Sequence, residues 1–181
     1  MSDTFTTFST MDSYTKLAQK TIEEFVKNKK IIQAPKDLPD EILKNKAGVF
    51  VTLHKAGDLR GCIGTFLPTK KNIAEEIIAN AISSAIRDPR FDPVTKDELK
   101  DLEISVDVLS TPEAIDDPKK LDPKKYGVII ETEDGRSGLL LPAIEGVKTI
   151  ADQITIAAEK ADIDPLKEKY YLFRFTVERH K

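Results

Sequence analysis

The chain of 181 residues carries 28 basic and 31 acidic side chains, for a formal net charge of −3, and has a single cysteine. This length suits one domain with a sizeable core, and the near balance of charge argues against broad electrostatic wrapping of nucleic acid while leaving a local basic groove open. One cysteine permits no internal disulfide, and no apolar run is long enough to span a bilayer, so a cytoplasmic protein without membrane partners is expected.

Residues 1–11 are rich in Ser and Thr and lack both the basic start and the apolar stretch of a signal peptide, so they read as a flexible tail before a single domain over 12–181. Asp12 or Ser13 can cap a helix in which Tyr14, Leu17, Ala18, Ile22, Phe25 and Val26 recur at helical spacing, ending in the basic cluster Lys27 to Lys30. Pro35 and Pro39 punctuate a connector with one helical turn at Asp40 to Leu43. A hydrophobic strand, Val49 to Leu53, then turns through a four-residue loop, Lys55-Ala56-Gly57-Asp58, and returns as Leu59 to Thr65.

The returning strand holds the cysteine between two glycines. Glycine inside a strand packs nothing, so Gly61 and Gly64 point to a bulge or to close approach by a ligand or another backbone. Strict alternation places Arg60, Cys62 and Gly64 on one side and Leu59, Gly61, Ile63 and Thr65 on the other. A guanidinium beside the thiol favours thiolate and makes Cys62 a candidate nucleophile, whereas an unpaired cysteine buried as a small hydrophobe is the structural alternative.

Asn72 and Glu75 resemble a capping box for a helix whose Ile73, Ile77, Ile78, Ala81, Ile82, Ala85 and Ile86 form a broad apolar stripe, stopping before Asp88-Pro89. Arg90 can clamp an oxyanion, and Asp88 can accept a proton or orient Arg60, although an Asp-Pro turn with a neighbouring ion pair is also a common structural device. Leu102, Ile104, Val106 and Val108 alternate with Glu103, Ser105 and Asp107 in the clearest half-buried strand. A connector bracketed by Pro112 and Asp117-Pro118 follows. Tyr126 to Glu131 and Ser137 to Leu141 then read as a hairpin around Asp134-Gly135, Thr149 caps a helix reaching Ala161, and Tyr171 to Glu178 form a last alternating strand. Strands mixed with helices, two hairpins and no regular βαβ series indicate an α+β fold with largely antiparallel sheets and flanking helices.

The run Leu59-Arg60-Gly61-Cys62-Ile63-Gly64-Thr65, followed by Asp88-Pro89-Arg90-Phe91 and by Gly138-Leu139-Leu140-Leu141-Pro142, resembles the AMMECR domain family, from about Tyr14 to the C-terminus. The resemblance implies a larger and a smaller lobe enclosing a cleft that contains the cysteine motif. It also implies a link to the AmmeMemoRadiSam system, with a Memo-like, dioxygenase-related protein and a radical SAM protein as partners, and it assigns no reaction. The chain departs from commoner family patterns at Tyr126, where many relatives have histidine, and at Pro142-Ala143-Ile144-Glu145-Gly146.

A cysteine hydrolase needs a base near Cys62. With a four-residue loop Val51 faces Cys62 and His54 lies on the opposite side of the sheet. With a one-residue register change Phe50 faces it and His54 is roughly 13 Å away, so His54 fails either way. One cysteine and two distant histidines fall short of a zinc site, and no cofactor fingerprint is present. Three functions follow: a cleft binding a small anionic or nucleotide-derived ligand through Arg60, Gly61, Cys62, Ile63, Gly64, Thr65, Asp88 and Arg90; an enzyme using Cys62 as nucleophile or carrier; or a module that binds RNA or another macromolecule. Binding stands ahead of catalysis, because no convincing base or metal site accompanies the thiol.

Overall fold

The computed structural model describes residues 12–181, so the tail expected over 1–11 lies outside the described residues. The chain builds two antiparallel four-stranded sheets, each covered on one face by helix, as the α+β reading expects. In the first sheet the strand order is β2 (Asp58–Thr65), β1 (Val49–Lys55), β3 (Leu102–Leu109), β8 (Val177–His180). In the second it is β4 (Glu113–Ile115), β7 (Tyr170–Phe175), β5 (Gly127–Thr132), β6 (Ser137–Leu140).

Helix α1 (Ser13–Asn28) starts where Asp12 accepts the N–H groups of Tyr14 and Thr15, and its Leu17, Ala18, Ile22 and Val26 face the first sheet. The short α2 (Asp40–Lys44) buries Ile42 in the same core. Helix α3 (Ile73–Ile86) is capped by Asn72 accepting the Glu75 N–H; of the expected capping box only this half forms, with Glu75 lying instead 3.7 Å from Lys71. Helix α4 (Ile150–Glu159), with a full capping box of Thr149 and Asp152, covers the second sheet and ends two residues before Ala161.

Three departures from the sequence reading position the site. The first hairpin turns through two residues, Ala56 and Gly57, at φ 53° and 87°, rather than four. Two consecutive positive φ values are what a tight hairpin of this twist requires, and Ala-Gly is a weak signal for it beside Asn-Gly. The expected last strand is two strands. β7 belongs to the second sheet and β8 to the first, and the chain crosses between them at Thr176. Beside this crossing runs the outgoing one at Ser110, the two tied by Ser110 N–H to the Thr176 carbonyl at 3.0 Å and Thr176 N–H to Ser110 Oγ at 2.9 Å. Finally, the connector expected after Pro112 contains β4, and Lys96–Asp101 form a 3-10 turn before β3. A third apolar cluster, with Leu109, Ile129 and Phe175 buried and Phe50, Phe66, Leu139 and Val177 around them, joins the two sheets. Among the described residues no helix is long and apolar enough to cross a membrane.

Candidate functional site

The cysteine strand β2 is an edge strand, and α3 lies along its inner side. Four polar side chains spaced four apart, Glu76, Asn80, Ser84 and Asp88, form one stripe of that helix and the residues just beyond it, and all four are buried. Such spacing puts them on one face, and each meets the hairpin. Glu76 accepts from Thr65 Oγ1 at 2.7 Å, and Asn80 donates to the Val49 carbonyl at 3.0 Å. Ser84 Oγ accepts the Ile63 N–H at 2.9 Å and donates to the Val51 carbonyl at 2.7 Å. Asp88 Oδ2 accepts the Cys62 N–H at 2.9 Å. Burial works to raise the Glu76 pKa, yet hydrogen bonds from Thr65, Thr69 and Lys70 hold it below the ordinary value. The apolar stripe of α3 was readable in the sequence; this polar one was missed, although its strict four-residue spacing was there to find.

The glycines of the motif face protein. A Cβ on Gly61 would come 2.3 Å from the Ser84 carbonyl oxygen, and one on Gly64 would come 2.2 Å from the Phe50 ring. Close backbone approach is therefore realised at Gly61 by α3, not by open floor. Through its pairing with Leu53, Gly61 shares the inner face of the sheet with Ile63 and Thr65.

The register puts Thr52, not Val51 or Phe50, opposite Cys62, because the returning strand carries one extra residue just after the turn. Leu53 pairs with Gly61 and His54 with Leu59, which leaves Arg60 as the bulged residue. A bulge breaks the alternation that aligned Arg60 with Cys62 and re-aims its side chain. Arg60 binds Glu98 of the 3-10 turn through Nε at 2.9 Å and Nη2 at 3.1 Å, and Lys55 joins the same carboxylate at 3.0 Å. Asp88 does not orient Arg60. The Arg60 guanidinium beside Glu98 holds that carboxyl well below the usual range. His54, two residues from Thr52 on the same strand, faces the same side of the sheet as Cys62, so the sequence argument that separated them does not hold.

That open face carries the chemistry. Cys62, the only cysteine, is half-buried, and its Sγ lies 3.3 Å from Thr52 Oγ1. On the β2 side, Arg90 binds Asp88 through Nε at 2.9 Å and Nη2 at 2.7 Å, and Nη2 also donates to the Cys62 carbonyl at 3.4 Å. On the β8 side, Arg179 binds Asp107 through Nε at 2.7 Å and Nη2 at 2.8 Å. The two pairs match closely: each aspartate side chain is 2% exposed, and each arginine side chain is about half exposed, 55% for Arg90 and 51% for Arg179. Asp107 lies on the polar face of the alternating strand β3, and its burial follows from the arginine that covers it. Hydrogen bonding by Arg90, with the Cys62 N–H adding to it, holds the Asp88 carboxyl well below the usual carboxylate range. Asp88 and Asp107 in turn raise the pKa values of Arg90 and Arg179. Phe91 packs under Arg90 and Arg60, with its ring centroid 5.5 Å and 5.9 Å from their guanidinium carbons.

Beside this point a groove of about 680 Å³ crosses the sheet, lined by Thr52, His54, Glu103, Ser105, Arg179 and Lys181 among others. The alternating polar face of β3, with Ser105 and Asp107, was visible in the sequence, whereas nothing local marked Thr52 or Arg179. Among the described residues no cluster of three or more His, Cys, Asp or Glu side chains could hold a metal ion. Chemically, each anchored guanidinium keeps its Nη1 amine directed away from its aspartate, so the face presents paired N–H donors, two hydroxyls and a thiol.

A family model described as AMMECR1 matches residues 15–180. A protein of Thermotoga maritima is 53% identical over 169 residues, which cover 93% of this chain and 97% of the relative. A protein of Clostridium acetobutylicum is 51% identical over 171 residues, but these are 94% of this chain and only 36% of the relative, so the chain corresponds to about a third of that longer protein. The crystal structure of an uncharacterized protein from Pyrococcus horikoshii matches with a TM-score of 0.83 at 37% identity, covering 92% of this chain and 88% of that one.

Proposed function

The chain belongs to the AMMECR1 family, and from that premise we propose that it binds a small anionic ligand over Cys62, held by Arg90 and Arg179, in a cleft beside the Leu59 to Thr65 motif. The observation that carries this is the pair of arginines, each fixed by a buried aspartate, with Arg90 donating to the Cys62 carbonyl and Arg179 lining the groove together with Thr52, which touches the sulfur. Because each guanidinium is neutralised by its aspartate, the ligand is held by directed N–H donors more than by net charge, and the planar fork suits a carboxylate or a phosphate edge. Asp88 is a positioning residue for Arg90. Arg60, committed to Glu98, braces the strand and takes no direct part. Within the cytoplasm the domain works with Memo-like and radical SAM partners, as the family resemblance implies. A second function is favoured by one observation: the thiol itself lies at the anion site, in contact with Thr52, where a bound electrophile would meet it. In that case Cys62 is the nucleophile or carrier.

The test is the rate of Cys62 alkylation by anionic iodoacetate relative to neutral iodoacetamide, followed by intact mass with Cys62→Ser as blank. Wild-type protein should favour iodoacetate more than a free thiol does. Arg90→Gln and Arg179→Gln should each lower that ratio several-fold, and Arg60→Gln should leave it unchanged. A ratio indifferent to both Arg90 and Arg179 overturns the anion site.

A further inference from the structure

The open face of the first sheet is polarised, and its register shows how. Cys62 pairs with Thr52, and Thr52 with Ser105, giving one row of thiol and hydroxyls across three strands. Arg90 and Arg179 flank that row. Lys181, one residue beyond the Val106–His180 pair, comes level with Ser105, so the cations gather on this side. One row further along, His54 pairs with Glu103. Glu103 is exposed, lines the same groove as Thr52 and Arg179, and enters no ion pair among the described residues. The groove therefore has the Arg179 guanidinium at one end, hydroxyls in the middle and, at the other, a carboxylate with no ion-pair partner among the described residues.

From this we propose that the ligand is a small zwitterion, with its carboxylate over Thr52 between the two arginines and its ammonium group at Glu103. The proposal rests on the anion site above and names its substrate class. An anion over Thr52 lies two residues along and one strand across from Glu103, and a strand rise of ~3.4 Å with a spacing of ~4.8 Å separates the two Cα positions by about 8 Å. A carboxylate and an ammonium joined by roughly five methylene groups span that interval, which is the class of the ω-amino acids and of basic amino acids bound end to end. Two neutralised arginine pairs also favour a monoanionic carboxylate over a phosphate dianion, which Glu103 would repel.

Protection of Cys62 from iodoacetamide, read by intact mass, tests this with 6-aminohexanoate and hexanoate as probes on the whole chain. In wild-type protein 6-aminohexanoate should protect at about fivefold lower concentration than hexanoate, the upper end of what an exposed ion pair supplies. Glu103→Gln, a change at an exposed position, should bring the two probes level, and Arg179→Gln should weaken both. If hexanoate protects as well as 6-aminohexanoate in wild-type protein, the zwitterion is overturned and the anion site stands. If neither protects and the iodoacetate preference is also missing, both fall.

Discussion

Asp88 does three things with two oxygens: it anchors Arg90, accepts the Cys62 N–H and accepts the Arg90 N–H at 3.1 Å. Replacing it with asparagine removes the charge and one acceptor while keeping the shape, which should cost about 1–3 kcal/mol, in line with a buried hydrogen-bonding group left partly unsatisfied. The same carboxylate sets an acid limit. Its folded-state pKa is depressed by Arg90, and that of Glu98 by Arg60, so both contribute stability that is fully present above the ordinary carboxylate range of about 4 and is lost as pH falls through their lower folded values. Urea unfolding of wild type at pH 7, 4 and 3 should show midpoints dropping below pH 4, with Asp88→Asn flatter over that interval. Equal slopes in the two proteins would mean that Asp88 is not a source of the acid sensitivity. At this scale strict alternation aligned Arg60 with Cys62, and the structure turns it to Glu98 instead, because a single bulged residue reverses the direction of a side chain and no local composition marks it.

Among the elements, the β1–β2 hairpin and α3 are fitted to each other through missing atoms. Gly61→Ala would drive a methyl group to within 2.3 Å of backbone in α3, where no flexible side chain can give way, so a loss of about 1–3 kcal/mol or more is expected from overpacking. Ala56→Asn should go the other way. Ala56 sits at φ 53° ahead of Gly57 at 87°, a conformation that Asn tolerates better, and a gain of roughly 0.5–1 kcal/mol should appear as a raised thermal midpoint. A lower midpoint for Ala56→Asn would contradict the tight-turn geometry. The register error made from sequence lies elsewhere, in the bulged Arg60, since a turn through Ala56 and Gly57 alone would still place Val51 opposite Cys62. The helices were legible because capping side chains and apolar periodicity report them directly; the polar stripe of α3 shows its spacing in the sequence, but what it meets depends on strands distant in sequence.

For the whole molecule, Phe175 is the buried aromatic at the centre of the cluster that joins the sheets, its ring filling the space a side chain at Gly127 would need. Phe175→Ala should cost about 3–5 kcal/mol, and hydrogen exchange should quicken in β1 and β3 as well as in β5. Quickening confined to the second sheet would show that the two sheets unfold independently. The α+β class and both hairpins were readable from alternation and turn residues. That the last strand divides between sheets was not, because Tyr171 to Glu178 alternate without interruption and only partners elsewhere in the chain decide where Thr176 lets them part.

The division at Thr176 also bears on the order in which the molecule can be made. Asp107 belongs to the middle of the first sheet, yet the guanidinium that covers it is supplied 72 positions later, after all of the second sheet. A nascent chain emerging from the ribosome therefore holds three of the four strands of the first sheet while the Asp107 carboxylate, not yet covered by its arginine, has no counter-ion. The strand that completes the first sheet and the guanidinium that covers Asp107 arrive together, so the site around Cys62 is complete only once Arg179 has been made.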